Sequence, residues 1–213
     1  PKSELAEKHP DWIIKLPGRN TYYHRNQLVL DLTNPKVQDY VYSVIDGILK
    51  ENPNLRFFKW DCNSPITNVY SPYEKKNQGN LYIDYVHGLY SVLDRIKKKY
   101  PDLSMMMCSG GGGRTDFEGL KYFTEFWCSD NTDPVERLYI QWGYSHFMPA
   151  KIMCAHVTNW NSQASIKFRV DVAFPCKLGF DIDFEKLSEN DRQYCRQVIK
   201  EYNRLKPVIY SPD

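Results

Sequence analysis

Two aspartates close aromatic, apolar segments of the chain at points where a strand would end. Asp61 ends the segment 55–61 (LRFFKWD), and Asp130 ends the segment 123–130 (FTEFWCSD). Hydrolysis of a glycosidic bond needs two carboxyl groups that flank the bond, one of which is held protonated. A single Asp at a strand end is more often the cap of the next helix, but two on similar segments favour the catalytic interpretation.

A glycine-rich segment, 108–114 (CSGGGGR), follows another apolar stretch. It lacks the Lys-Ser/Thr of a phosphate-binding loop, and Thr115 stands where a dinucleotide fingerprint has its third glycine. Four consecutive glycines after a strand indicate main chain that approaches a ligand closely. The alternative is a flexible connection.

Helical and strand-like patterns alternate around these residues. Asn34 and Pro35 form a cap and first turn of a helix that runs to about Lys50, and a second helix is predicted at 81–98. Further helices are predicted to begin at Asp133-Pro134 and at Ser188, where Asp191 completes a capping-box-like start. Strands are predicted at 55–61, 103–108, 123–130, 151–157 and 172–176.

Strands that alternate with helices predict an α/β fold with a parallel sheet. Polar and reactive residues at the carboxyl ends of strands are typical of (β/α)₈ barrels and also of open α/β sheets. The pattern alone does not separate these two architectures.

Composition narrows the class of protein. The net charge is +2, and because Lys and Arg are spread along the chain, no nucleic-acid surface is expected. No segment has the ~18–20 apolar residues of a membrane span. The six cysteines form neither CxxC pairs nor zinc-ligand spacings with His, so no metal or cofactor is expected. They are typical of reduced thiols, which favours a cytoplasmic location.

Three motifs together resemble the signature segments of glycoside hydrolase family 36, the microbial α-galactosidases. They are KWDCN (59–63), CSGGGGR (108–114) and WCSDNTD (127–133), and the stretches 9–12, 25–32 and 155–157 are similar too. The resemblance implies a (β/α)₈ TIM barrel and a retaining, double-displacement mechanism. It also implies that residues 1–213 are a single catalytic segment covering about strands four to eight, without the first strands and the flanking β-domains of the family.

The resemblance assigns roles to individual residues. Asp61 corresponds to the nucleophile and Asp130 to the general acid/base, which predicts a carboxylate separation of about 5–5.5 Å. The positions that correspond to substrate-binding residues of the family are Arg25, Lys59, Asn63, Cys108, Gly110, Gly111 and Trp127.

The implied substrate is a terminal α-galactoside of the melibiose or raffinose type, and the implied parent protein is a homo-oligomer. The family's paired-aspartate segment, which grips the sugar's 4- and 6-hydroxyls, does not occur in these 213 residues. We therefore expect little activity from the isolated chain. Three alternatives stay open: a transglycosylase, an α-N-acetylgalactosaminidase, and a catalytically incompetent fragment that only binds sugar.

Overall fold

The computed structural model describes residues 1–159 and 163–211. The chain forms two compact units, and each is described by itself. The first unit comprises Pro1–Phe58 and Cys62–Ser104, and the second comprises Lys59–Asp61 and Met105–Asp213.

Six α-helices and five strands are present in the described residues. The helices are α1 (Glu4–Lys8), α2 (Pro35–Glu51), α3 (Leu81–Lys99), α4 (Pro134–Ser145), α5 (Ile166–Ala173) and α6 (Glu189–Ile209). The strands are β1 (Phe57–Asp61), β2 (Ser104–Cys108), β3 (Glu125–Trp127), β4 (Met153–Thr158) and β5 (Lys177–Asp181). Among the described helices, none combines the length and the apolar character needed to cross a membrane.

The first unit is built on the pair α2 and α3. Asn34 caps α2 as predicted, because its Oδ1 accepts from the Lys36 amide at 3.0 Å. The two helices bury apolar faces, and a buried carboxylate adds a polar link between them. Hydrogen bonds from Lys50, Lys99 and Tyr100 hold the pKa of Asp46 well below its ordinary value.

The second unit contains a sheet with the strand order β1-β2-β3-β4-β5. Its neighbours from β2 to β5 pair in parallel, in the registers Met107↔Phe126, Trp127↔Cys154 and Ala155↔Leu178. The predicted α/β class with a parallel sheet is therefore confirmed. Parallel strands aligned in chain order bring their carboxyl ends to one edge, where the candidate carboxylates lie.

One predicted strand is wrong. Residues 172–176 are the end of α5 and the turn after it, and the fifth strand is Lys177–Asp181. Ser165 starts the helix by accepting from the Phe168 amide at 3.3 Å, and Gln141 Nε2 holds the Val172 carbonyl at 2.8 Å. A short apolar run fits a buried helix as well as a strand, and here the N-cap decides for the helix.

The other predicted helix starts are confirmed. Asp133 Oδ1 accepts from the amides of Val135 and Glu136 at 3.0 and 3.2 Å, which starts α4. Ser188 Oγ accepts from the Asp191 amide at 3.1 Å, which starts α6. α4 buries one side, while Tyr139 and Trp142 on its outer side are 71% and 67% exposed.

Candidate active site

Asp61 is the last residue of β1, and Lys59 lies two positions before it. Side chains two residues apart on a strand point to the same face. Accordingly, Lys59 Nζ lies 3.7 Å from Asp61 Oδ2, and 45% and 38% of the two side chains are exposed. Trp60 lies between them and is buried. The end of β1 thus presents a carboxylate with an ammonium beside it.

Asp130 lies in the loop after β3 and not at a strand end. β3 ends at Trp127, so the prediction of a strand through Asp130 is wrong by three residues. Side-chain oxygens accept hydrogen bonds from main-chain amides here. Ser129 Oγ accepts from the Asn131 amide, and Asn131 Oδ1 accepts from the Asp133 amide, both at 3.1 Å. Such local hydrogen bonds favour turns over a strand ladder.

Trp127 connects the two aspartates. Its indole Nε1 donates to Asp130 Oδ1 at 2.9 Å. Its ring lies 5.9 Å from Lys59 Nζ, which in turn faces Asp61. The end of β1 and the loop after β3 therefore meet around one buried tryptophan, and this arrangement brings Asp61, Lys59, Trp127 and Asp130 into one site.

Cys108, the last residue of β2, belongs to the same group. It shares a buried cluster with Trp127 and is 1% exposed. Burial raises the pKa of the Cys108 thiol, and the charges of Asp61 and Asp130 act in the same direction. The thiol therefore stays neutral at pH 7 and lies within the field of both carboxylates.

The glycine run packs against the main chain of the loop after β3. Gly110 and Gly111 have φ of 57° and 91°, in the left-handed region that favours glycine. A Cβ on Gly111 would lie 2.8 Å from Ser129 Cα, and the Gly112 amide donates to the Cys128 carbonyl at 3.1 Å. The close approach predicted for a ligand is thus, at Gly111, an approach to the protein's own backbone.

Tyr144 on α4 also supports this run, and the sequence analysis missed it. Its hydroxyl shares a hydrogen bond of 2.8 Å with Thr115 Oγ1. A Cβ on Gly112 would lie 1.5 Å from that hydroxyl, so a larger residue there would have to displace the Tyr144 side chain. The helical pattern of α4 gives no sign of this contact, since it depends on how the helix packs.

His156 on β4 lies behind Trp127. The two ring centroids are 4.7 Å apart, and a Cβ on Gly179 would lie 2.5 Å from His156 Cδ2. Burial lowers the pKa of His156 from its ordinary value of 6.5, a shift that the charge of Asp181 partly opposes. This histidine is therefore neutral at pH 7 and supports the tryptophan by packing.

Arg25 and Asn63 belong to the first unit. Arg25 and Asn26 have φ of 53° and 57°, and His24 and Gln27 on either side form an antiparallel bridge. Two successive left-handed residues make a tight turn of the type I′ kind, which Arg occupies at a cost in strain. Asn63 is half-buried, two residues after β1. Their substrate contacts stay predictions.

A metal site is not evident in the described part of the chain. Within residues 1–159 and 163–211, no group of three or more His, Cys, Asp and Glu side chains could hold a metal ion. All six cysteines lie in this part of the chain, and all are free thiols.

The amino-acid sequence of this chain is similar to those of known proteins. Residues 1–211 match the family described as melibiase. The chain is 39% identical to the α-galactosidase AgaA of Geobacillus stearothermophilus over 98% of its own length and 29% of that protein. It is 36% identical to α-galactosidase 1 of Pediococcus pentosaceus, over 97% of this chain and 29% of that one.

Solved structures give the same result. The crystal structure of the family 36 enzyme AgaA superposes with a TM-score of 0.93 at 38% identity, covering 99% of this chain and 30% of that one. Variants of AgaA have been solved in complex with raffinose and with stachyose, and they match with TM-scores of 0.91 and 0.93. The chain spans about 30% of the length of the relatives that it matches.

Proposed function

Because this chain belongs to the melibiase family, within glycoside hydrolase family 36, we propose that it carries the two catalytic carboxyl groups of a retaining α-galactosidase. The observation that carries the proposal is the convergence of Asp61 and Asp130 around Lys59 and Trp127. Both aspartates are accessible to a ligand, while the thiol and the indole beside them are buried.

In the first step, the Asp61 carboxylate attacks the anomeric carbon of the terminal galactose. Asp130, in its acid form, donates its proton to the glycosidic oxygen, and the sugar alcohol leaves. Trp127 Nε1 donates to Asp130 Oδ1, and we therefore assign that proton to Oδ2. The products of this step are a galactosyl ester on Asp61 and an ionised Asp130.

In the second step, Asp130 accepts a proton from water, and the resulting hydroxide equivalent attacks the anomeric carbon. The ester bond to Asp61 breaks, and galactose leaves with its original configuration. Lys59 lies beside the Asp61 carboxylate before attack, in an ion pair that is partly screened by solvent. The expected carboxylate separation stays at about 5–5.5 Å.

The substrate-binding roles follow the same correspondence. We propose that Lys59, Asn63 and Arg25 bind sugar hydroxyls, and that Trp127 forms a wall of the pocket. Cys108, Gly110 and Gly111 would lie at the 2-hydroxyl side. The complexes of the related enzyme with raffinose and stachyose support α-galactosyl oligosaccharides as the substrate class.

For the native protein we further propose that residues 1–213 are one catalytic-domain segment, that the protein is homo-oligomeric and that it is cytoplasmic. Free thiols at all six cysteines are typical of a reducing compartment and support the last of these.

A mechanism-based covalent galactosyl inhibitor tests the proposal on the protein at its native encoded length. Mass spectrometry should find the label on Asp61, and Asp61→Asn should lower kcat for raffinose by at least about 10³-fold. Asp94→Asn is the matched control, since Asp94 also forms an exposed ion pair with a lysine, Lys98, at 2.6 Å. A label on another residue would overturn the nucleophile assignment.

Analysis of the products separates hydrolysis from transglycosylation, because the two reactions share the first step. Release of free galactose at low substrate concentration supports the hydrolase. Transfer of galactose to a second sugar as the main product would identify a transglycosylase.

A further inference from the structure

Arg137 on α4 is a buried cation next to the candidate acid/base. It lies four residues after the helix cap Asp133 and is 3% exposed. Burial of a guanidinium is costly unless its N–H groups are bonded. A side chain of this kind on an amphipathic helix is expected to be held by several acceptors.

The acceptors of Arg137 lie on both sides of Asp130. Nη2 donates to the Ser129 carbonyl at 2.7 Å, and Nε donates to the Asn131 carbonyl at 2.8 Å. A third donor, Nη1, reaches the Cys154 carbonyl on β4 at 3.2 Å. One planar group thus ties the two peptide carbonyls that flank Asp130 to the neighbouring strand.

Arg137 also contacts the group that holds the Asp130 side chain. Its guanidinium carbon lies 4.9 Å from the centre of the Trp127 ring, a distance typical of cation–π contacts. Trp127 Nε1 in turn donates to Asp130 Oδ1. The main chain and the side chain of Asp130 are therefore both fixed through the same guanidinium.

We propose that Arg137 is the positioning residue that sets the Asp130 carboxyl against the leaving oxygen, an inference that rests on the proposed function. It touches neither the substrate nor the reacting atoms in this role. The three N–H donors of the guanidinium are needed together, because a single hydrogen bond would leave the loop after β3 free to rotate about that bond.

The kinetic consequence depends on the leaving group. A sugar alcohol leaves only with a proton from the acid, whereas an acidic phenol leaves largely without one. A misplaced Asp130 therefore lowers kcat/KM, which reports the first step alone, far more for raffinose than for an activated aryl α-galactoside. A general loss of structure would slow both to the same extent.

The experiment compares Arg137→Met and Arg137→Lys with wild type, using the protein at its native encoded length. We expect Arg137→Met to lower kcat/KM for raffinose by about 10²-fold and kcat/KM for the activated aryl galactoside by less than about tenfold. Arg137→Lys keeps the positive charge but loses the planar set of three donors. It should lower kcat/KM less than Arg137→Met does, with the loss again greater for raffinose than for the aryl galactoside. Val170→Ala, a change at a 1%-exposed residue of α5, is the control for lost packing.

Each outcome of this experiment supports or overturns the positioning role of Arg137. Equal losses on the two substrates, as expected for Val170→Ala, would make Arg137 a purely structural residue. Failure of both Arg137 variants to fold would overturn the positioning role as well. Asp130→Asn separates this proposal from the proposed function. If it does not lower kcat/KM more for raffinose than for the aryl substrate, the acid/base assignment itself is wrong, whatever Arg137 does.

Discussion

Asp61 and Asp130 are held in place by different kinds of contact. Asp61 ends a regular strand, and its ion-pair partner, Lys59, is two residues away in the chain. Asp130 lies in a loop, fixed by Trp127 Nε1 and by the three bonds of Arg137 to carbonyls around it. The first position follows from local strand geometry, and the second depends on packing between distant segments.

The difference matches the proposed chemistry of the two groups. The nucleophile attacks a single atom, the anomeric carbon, from one direction. The end of a strand fixes the direction of the side chain that makes this attack. An acid/base must meet the leaving oxygen first and a water molecule later. We therefore expect remote substitutions to act on the function of Asp130 much more than on that of Asp61.

The largest expected effect comes from Gly111→Ala. The new Cβ would meet the main chain of Ser129 at 2.8 Å, at a φ of 91° that L side chains rarely adopt. We expect a loss of about 1–3 kcal/mol in the free energy of unfolding, together with a greater loss of kcat/KM on raffinose than on an activated aryl galactoside. Urea unfolding and steady-state kinetics measure the two.

Gly143→Ala is the control for this change. A Cβ on Gly143 would meet nothing within 4 Å, and the residue lies inside α4. Alanine in a helix interior should stabilise by about 0.5–1 kcal/mol and leave both rates unchanged. If Gly111→Ala also left both rates unchanged and did not destabilise the protein, the glycine run would not determine the position of the loop after β3.

A smaller effect is expected from pH acting through His156, which packs against Trp127. Its pKa is lowered by burial below the ordinary 6.5. Below pH 6.5 the His156 ring therefore binds a proton more readily in the unfolded chain than in the folded chain. The stabilising effect of the neutral ring is complete above that pH and is lost as the pH falls toward the folded pKa.

Urea unfolding at about pH 7.5 and about pH 5.5 tests this prediction. The stability of His156→Gln should fall less between the two values than that of wild type. His146→Gln serves as the control, because the ring of His146 packs on the exposed Trp142. An identical pH dependence in wild type and His156→Gln would contradict the prediction.

The smallest effect on stability is expected from Lys59→Met, on the Asp61 side. An exposed ion pair at 3.7 Å contributes no more than about 1 kcal/mol to the free energy of unfolding. Because Lys59 would act on the sugar and the nucleophile, both substrates should lose kcat/KM by the same factor. A selective loss on raffinose would show that the two sides of the site are not independent.

Local signals in the sequence were sufficient for much of the fold. Asn34, Asp133 and Ser188 were each predicted as helix caps, and each bonds an amide two or three residues ahead. The resemblance to glycoside hydrolase family 36 is confirmed by the family match over residues 1–211 and by the TM-score of 0.93.

Other features were beyond reach of the sequence because they depend on tertiary contacts. The apolar run at 172–176 belongs to α5 and its turn, and Gln141 from another helix bonds its Val172 carbonyl. The end of β3 at Trp127 is set by side chains that compete with the strand ladder. The three acceptors of Arg137 come from the loop after β3 and from β4, which no periodicity indicates.

The attachment of α4 through Arg137 has a consequence for protein engineering. The outer side of α4, with Tyr139 and Trp142, belongs to the same helix whose Arg137 bonds the loop that carries Asp130. A substitution on that surface that shifts α4 would therefore also shift the loop that carries Asp130, which makes this helix a place to select for new leaving groups.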